Sequence, residues 1–164
     1  MNDIENPATC SLAPVPDDWR AMLARELHAI EPWRKLGYSE RAFAALMTTR
    51  EAEVEVRAIV RNDICCGLTI VRNNWLFGPY LRIFAVLPAV QNSGIGSQAL
   101  DQLCREAAAK GARNLWACVS GFNPGARHFY ERNNFETIGK LEDLVIAGED
   151  EFLIRRRLDL TTTA

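Results

Sequence analysis

The chain has 164 residues, 48% hydrophobic and 24% charged, a globular balance that excludes a disordered polymer and suffices for one domain with its own core. Lysine and arginine total 19 against 21 aspartates and glutamates, a net charge of −2, which argues against a broad electrostatic grip on nucleic acid or an anionic membrane. The longest apolar run, residues 83–90, is broken by Pro88 and falls far short of the ~20 residues a spanning helix needs, so no membrane segment is expected.

In chain order, Met1 to Pro7 carries Asp3 and Glu5 where a signal peptide would want lysine and then an apolar core, so no leader is expected. A short strand is predicted over 9–15, ending at Pro14-Val15-Pro16. Asp17 or Asp18 is then expected to cap a helix, its carboxylate on the positive end of the helix dipole. Trp19, Met22, Leu23, Leu27 and Ile30 give that helix an apolar stripe, and it must stop before Pro32. Ser39 opens a second short helix whose apolar members are Phe43, Ala44, Leu46 and Met47.

From Glu53 the period changes to two. Val54, Val56, Ala58 and Val60 alternate with Glu55, Arg57, Ile59 and Arg61, a strand with a mostly polar outer face. Asn62-Asp63 makes a turn, residues 64–71 return as its partner, and Asn73-Asn74 is expected to turn the chain into a long strand over 76–86. Helical spacing resumes at Gly94, with Ile95, Ala99, Leu103 and Ala107 on one face, and Gly111 ends it. Residues 115–119 form a compact apolar run, expected as a central parallel strand. Asn123-Pro124 caps a short helix through Arg132, with proline where its missing N–H costs nothing. Residues 135–138 and 151–158 close the chain as two strands. Five cysteines without a C-x-x-C pattern and two histidines, His28 and His128, predict neither a disulfide framework nor a metal site, so a reduced, cytoplasmic protein is the expectation.

The informative stretch joins the long strand to the helix: Val86-Leu87-Pro88-Ala89-Val90-Gln91-Asn92-Ser93-Gly94-Ile95-Gly96. The first turn of a helix offers unpaired N–H groups and about half a positive charge, and glycines let an anion reach them. Gln91, Asn92 and Ser93 add short donors. An ordinary strand-to-helix turn would also look like this. Gly94-Ile95-Gly96-Ser97-Gln98-Ala99 formally matches the dinucleotide fingerprint G-x-G-x-x-A, but it does not follow the first strand of a βαβ unit, and no acid ends the next strand.

Val86, Pro88, Gln91, Gly94 and Gly96 resemble the V-x-P-x-x-[RQ]-x-x-G-x-[GA] loop of the GNAT superfamily of N-acetyltransferases. Residues 123–135, from Asn123 through Ala126, Phe129 and Tyr130 to Phe135, resemble that family's N-x-x-A-x-x-[LF]-Y-x-x-x-G-F block. The resemblance implies an α/β (α+β), GNAT-like fold: a mixed, mostly antiparallel central sheet of six to seven strands with helices on both faces. It implies the order strand, two helices, three strands, helix, strand, helix, two strands, in a single domain over 1–164 with the cofactor motifs inside 76–135. Asn134 stands where the family usually has glycine, and asparagine tolerates the left-handed conformation better than most residues.

The implied co-substrate is acetyl-CoA, with no metal. The resemblance places backbone groups of Phe84 and Val86 on the pantetheine arm, one N–H near Val86 on the thioester oxygen, and the amides of Gln91, Asn92, Ser93, Gly94, Ile95, Gly96 and Ser97 on the pyrophosphate, with Asn123 also touching the cofactor. Tyr130 matches the family's general acid; the helix pattern alone favours a core aromatic beside Phe129, and the motif favours the acid. The expected base is missing. Leu115-Trp116-Ala117-Cys118-Val119 has Cys118 where the branch resembling ribosomal-protein N-terminal acetyltransferases has glutamate, and a thiol in an apolar site is a poor base. A water relay, or a carboxylate such as Glu31 or Asp143, is left to fill that role.

The loops around Glu31 and Trp33 and around Asp143 are implied to build the acceptor pocket, and Tyr80 and Trp75 either line the same cleft or pack the sheet. The implied activity is acetyl transfer from acetyl-CoA to a primary amine by direct attack on the thioester. The alternatives are acetylation of a protein N-terminus or lysine, or a non-catalytic acyl-CoA sensor. The partners expected are therefore acetyl-CoA and an amine, with no nucleic acid and no membrane, and the resemblance points to a homodimer.

Overall fold

The computed structural model describes residues 9–158. The leader expectation for Met1 to Pro7 lies outside the described residues. Seven strands form one sheet in the order β1-β2-β3-β4-β5-β7-β6: β1 Ser11–Pro14, β2 Val54–Arg61, β3 Ile64–Trp75, β4 Gly78–Val86, β5 Asn114–Ser120, β6 Glu136–Glu142 and β7 Asp150–Arg157. Every neighbouring pair is antiparallel except β4 and β5. The helices are α1 Asp17–His28, α2 Glu40–Met47, α3 Ile95–Ala109 and α4 Pro124–Arg132. Element order and fold class are those expected.

Helices cover both faces, and the burial pattern says which. Leu23 and Leu27 of α1 and Phe43 and Met47 of α2 pack on Ala58, Leu68, Ile70, Ile83 and Ala85. On the opposite face, Leu100, Leu103 and Cys104 of α3 and Tyr130 of α4 pack on Leu81, Leu115, Ala117, Val119 and Ile154. Ser39 caps α2 by accepting the Ala42 N–H at 3.1 Å, as its position before the helix requires.

Four expectations are corrected. Pro16, not an aspartate, is the residue before α1; Asp17 and Asp18 lie in the first turn, and the Asp17 carboxylate pairs with Arg20 at 2.8 Å. The outer face of β2 is not mostly solvated. Ile59 shares a face with Glu55 and Arg57, and α3 covers that face, so Ile59 is fully buried with Cys66, Ile95 and Ala99. Farther along that face, Arg57 and Glu55 pair with Glu106 (2.7 Å) and Lys110 (3.2 Å) of α3.

The third correction concerns the β3–β4 hairpin, which turns at Leu76-Phe77 (φ 43° and 60°) and not at Asn73-Asn74. The Asn73 N–H and side chain are held by the Glu53 carbonyl and the Glu55 carboxylate, both at 2.8 Å, which keeps Asn73 in the sheet. Trp116 Nε1 donates to the Leu76 carbonyl at 3.2 Å, and Trp75 packs edge-on against Trp116 at 5.7 Å, so tertiary contacts hold the turn three residues later. Finally, β6 begins at Glu136 and runs to Glu142, because its hairpin with β7 extends the pairing to Glu142 opposite Asp150.

The burial of Ile59 makes a test of this packing. Ile59→Ala should lower unfolding stability in urea by ~2–5 kcal/mol, the range for emptying a core isoleucine, whereas Ile64→Ala, at a side chain 63% exposed, should stay within ~0.5 kcal/mol of the parent.

Candidate active site

The site is made by strands that stop pairing. β4 and β5 are in parallel register only at Tyr80 opposite Trp116 and Leu81 opposite Ala117. Beyond Leu81 the strands part, and β4 carries Arg82 to Val86 with no partner on its β5 side. A cleft of about 730 Å³ fills the gap, within the range of small-molecule sites. One end is lined by Gln91, Asn92, Gly94, Gly96 and Ser97, the middle by Phe84, Cys118, Ser120 and Tyr130, and the other end by Glu31, Trp33, Tyr38, Tyr80, Leu144 and Val145. A second cleft of about 850 Å³ lies at the far end of α3, where Arg57 and Glu106, and Lys110 and Glu55, satisfy one another.

At the loop end, Gly94 sits before α3 in the left-handed conformation (φ 81°) with open space around the position of a Cβ. A Cβ on Gly96 would meet the Phe129 ring at 3.1 Å and Val86 Cγ2 at 3.5 Å, so glycine lets α3 start close against α4. The first-turn N–H groups of α3 have no acceptor within the helix. Here the expectation for side-chain donors is corrected. Gln91 Nε2 donates to the Val86 carbonyl (2.9 Å) and Ser93 Oγ to the Val90 carbonyl (2.6 Å), so these two side chains brace the loop, and the loop presents its backbone and Asn92 to the cleft. Ile95 is fully buried and faces the core.

In the middle of the cleft, Phe84 stacks on Phe129 at 5.8 Å, Phe129 meets Tyr130 edge-on at 5.4 Å, and Tyr130 meets Phe135 at 5.0 Å. Tyr130 is therefore both of the things its sequence allowed, a core aromatic and a cleft residue. Burial first, and then the nearby Cys118 thiol, push its phenol above the ordinary tyrosine value. Among the described residues its hydroxyl has no hydrogen-bond partner. Asn123 lines the cleft and caps α4, accepting the Ala126 N–H at 3.1 Å. Asn134 is left-handed at φ 63°, as expected for the family's glycine position. Cys118 is half-buried and its thiol is pushed up chiefly by burial.

At the acceptor end, Glu31 and Trp33 line the cleft, and Tyr80 does so while packing on Trp75 at 5.0 Å. The Glu31 carboxylate is already engaged: Arg34 donates to it at 2.7 and 3.0 Å and the Lys35 N–H at 3.1 Å, and the Arg34 hydrogen bond holds its pKa below the usual range. Asp143 does not line the cleft. Its carboxylate accepts the Gly148 N–H at 2.6 Å inside its own loop, and the apolar Leu144 and Val145 stand at the cleft instead. Lys35 joins the two loops by pairing with Glu149 and lying over the Phe122 ring at 4.2 Å.

One group escaped the sequence reading. Glu151 of β7 is 5% exposed, lines the cleft beside Ser120, and accepts from Ser120 Oγ at 2.6 Å. Burial pushes its carboxyl above the ordinary glutamate value. Its sole signal in the sequence was position, an acid where a closing strand turns inward. Among the described residues no cluster of metal-ligating side chains occurs, and no helix is long and apolar enough to cross a membrane.

Residues 17–135 match the Acetyltransferase (GNAT) family. Solved structures with the same fold include an acetyltransferase from Thermus thermophilus (21% identity, 92% of this chain and 97% of that one, TM-score 0.73). The ribosomal-protein-S18-alanine N-acetyltransferase from Escherichia coli is similar to the same degree (20%, 94% and 97%, TM-score 0.71). So is an aminoglycoside 6'-N-acetyltransferase complexed with coenzyme A (15%, 90% and 96%, TM-score 0.71). At these identities the likeness is one of fold.

The raised Cys118 thiol leads to a measurable consequence. Iodoacetamide attacks the thiolate, so at pH 8 Cys118 should alkylate more slowly than a free cysteine, and its rate should rise with pH later than that cysteine's does. Peptide mass spectrometry at a series of pH values measures it.

Proposed function

The chain belongs to the GNAT acetyltransferase family, and on that basis we propose that it transfers the acetyl group of acetyl-CoA to a primary amine by direct attack on the thioester. The observation that carries this reading is the parting of β4 and β5, which puts an unpaired strand edge, a helix N-terminus and Tyr130 on one cleft. Their fit to coenzyme A is chemical. The amides from Gln91 to Ser97 suit a pyrophosphate, Gly94 leaves the approach open, and the free edge of β4 at Phe84 and Val86 suits the amides of a pantetheine arm. The bound thioester supplies the acetyl group and a thiolate leaving group.

Tyr130 is the proposed acid. Its phenol is held protonated by burial, so at neutral pH it has a proton to give to the departing sulfur. The same burial makes the Cys118 thiol a poor base. Trp33, Tyr38, Tyr80, Leu144 and Val145 suit an acceptor whose amine is carried on an apolar body. A reduced, cytoplasmic setting fits the five free cysteines.

Two substitutions separate binding from chemistry. Gly94→Val forces a β-branched side chain into φ 81° and covers the loop, so titration calorimetry should show acetyl-CoA affinity down by ~10-fold or more; unaltered affinity would refute the loop assignment. Tyr130→Phe should leave that affinity within ~2-fold while thiol release falls by ~10²–10³-fold, and a parental rate would remove Tyr130 from the acid role.

A further inference from the structure

Glu151 is the buried carboxylate of the cleft, and among the described residues no cation lies within ion-pair distance of it. Its one side-chain hydrogen bond comes from Ser120 Oγ at 2.6 Å. A buried ionisable group without a counter-ion costs stability, and one standing in a cleft is a candidate for chemistry with a ligand. The register explains its position. Cys118 pairs with Leu153 and Ser120 with Glu151, so Glu151 stands one pleat along from Cys118 on the same face of the sheet. The carboxylate that β5 lacks at position 118 stands next door on β7.

We propose that Glu151, oriented by Ser120, receives the ammonium of the acceptor amine in this cleft and removes its proton. This rests on the transferase reading above. Glu151 takes one proton from the ammonium, and the freed lone pair forms the C–N bond to the acetyl carbon as the C–S bond breaks. Tyr130 gives its phenolic proton to the departing sulfur and regains one from the new amide nitrogen; the proton on Glu151 leaves to solvent.

The charged and titratable groups around Glu151 are few. Tyr80, Cys118 and Tyr130 are all pushed above their ordinary values by burial, and Glu31 is held below its own by Arg34. Glu149 is paired with Lys35, Asp150 and Glu142 with Lys140, and Arg82 and Arg132 stand at the cleft wall. An acid limb lying above the ordinary glutamate value therefore reports Glu151.

The test follows thiol release from acetyl-CoA against pH for the full chain with tyramine, spermidine, lysine and an alanine-terminated peptide. With the best of these amines, Glu151→Gln should lose ~10²–10³-fold in kcat/KM at pH 7, keep acetyl-CoA affinity, and lose the acid limb, its rate rising instead with the free-amine fraction. A variant with the parental rate and profile overturns the assignment of Glu151 while leaving the transferase reading intact. No thiol release from the parent with any of the four amines overturns both. Should Glu151→Gln fail to fold, Ser120→Ala decides: losing the hydrogen bond that favours the carboxylate should move the acid limb to higher pH, and an unmoved limb counts against the proposal.

Discussion

The structure depends on the loss of pairing between two strands at the centre of its own sheet. β4 and β5 share register at two positions and then diverge, leaving the side of β4 that faced β5 without a partner strand from Arg82 onward. A buried strand edge is costly unless something pairs with it or water reaches it. Here the edge opens onto a cleft, and the elements that flank the gap, the α3 N-terminus and α4, bring positive dipole and phenol to the same space. Remove the divergence and the cleft closes.

Holding a sheet open at its middle needs bracing on both sides. Phe84, Phe129, Tyr130 and Phe135 form a continuous aromatic row from β4 through α4 to the start of β6, and Gly96 lets α3 close against it. On the other side of the gap, β5 is paired along its whole length with β7, from Asn114 opposite Arg157 to Ser120 opposite Glu151. The cleft is thus bounded by rigid elements, which is what positioning a reacting carbon requires.

The electrostatics of the cleft run against stability. Tyr130 and Glu151 are both displaced upward by burial, so each favours its protonated form in the folded protein. For Glu151 the sign is definite. A carboxyl with a folded pKa above its unfolded value contributes stability below the unfolded pKa and loses that contribution as pH rises through the folded one. At neutral pH the ionised group is a burden on the fold, a pattern common at sites kept for chemistry.

Much of this was legible in the residues. The change of period at Glu53 marked the first long strand, Asn123-Pro124 marked the start of α4, and Gly94 before an apolar helical stripe marked the loop; each is a local preference of backbone or burial that the native fold obeys. What sequence could not decide was whatever a distant partner supplies. The hairpin turns at Leu76-Phe77 because Trp116, some forty residues on, holds the Leu76 carbonyl. Ile59 is core because α3, from far along the chain, packs over its face of β2. Glu151 lies in the cleft because β7 inserts between β5 and β6, a strand order that no local pattern encodes. Local chemistry determined the elements and the anion-ready loop; which side chains face one another across the gap was decided by register and strand order, since pairing is settled by contacts between residues far apart in the chain.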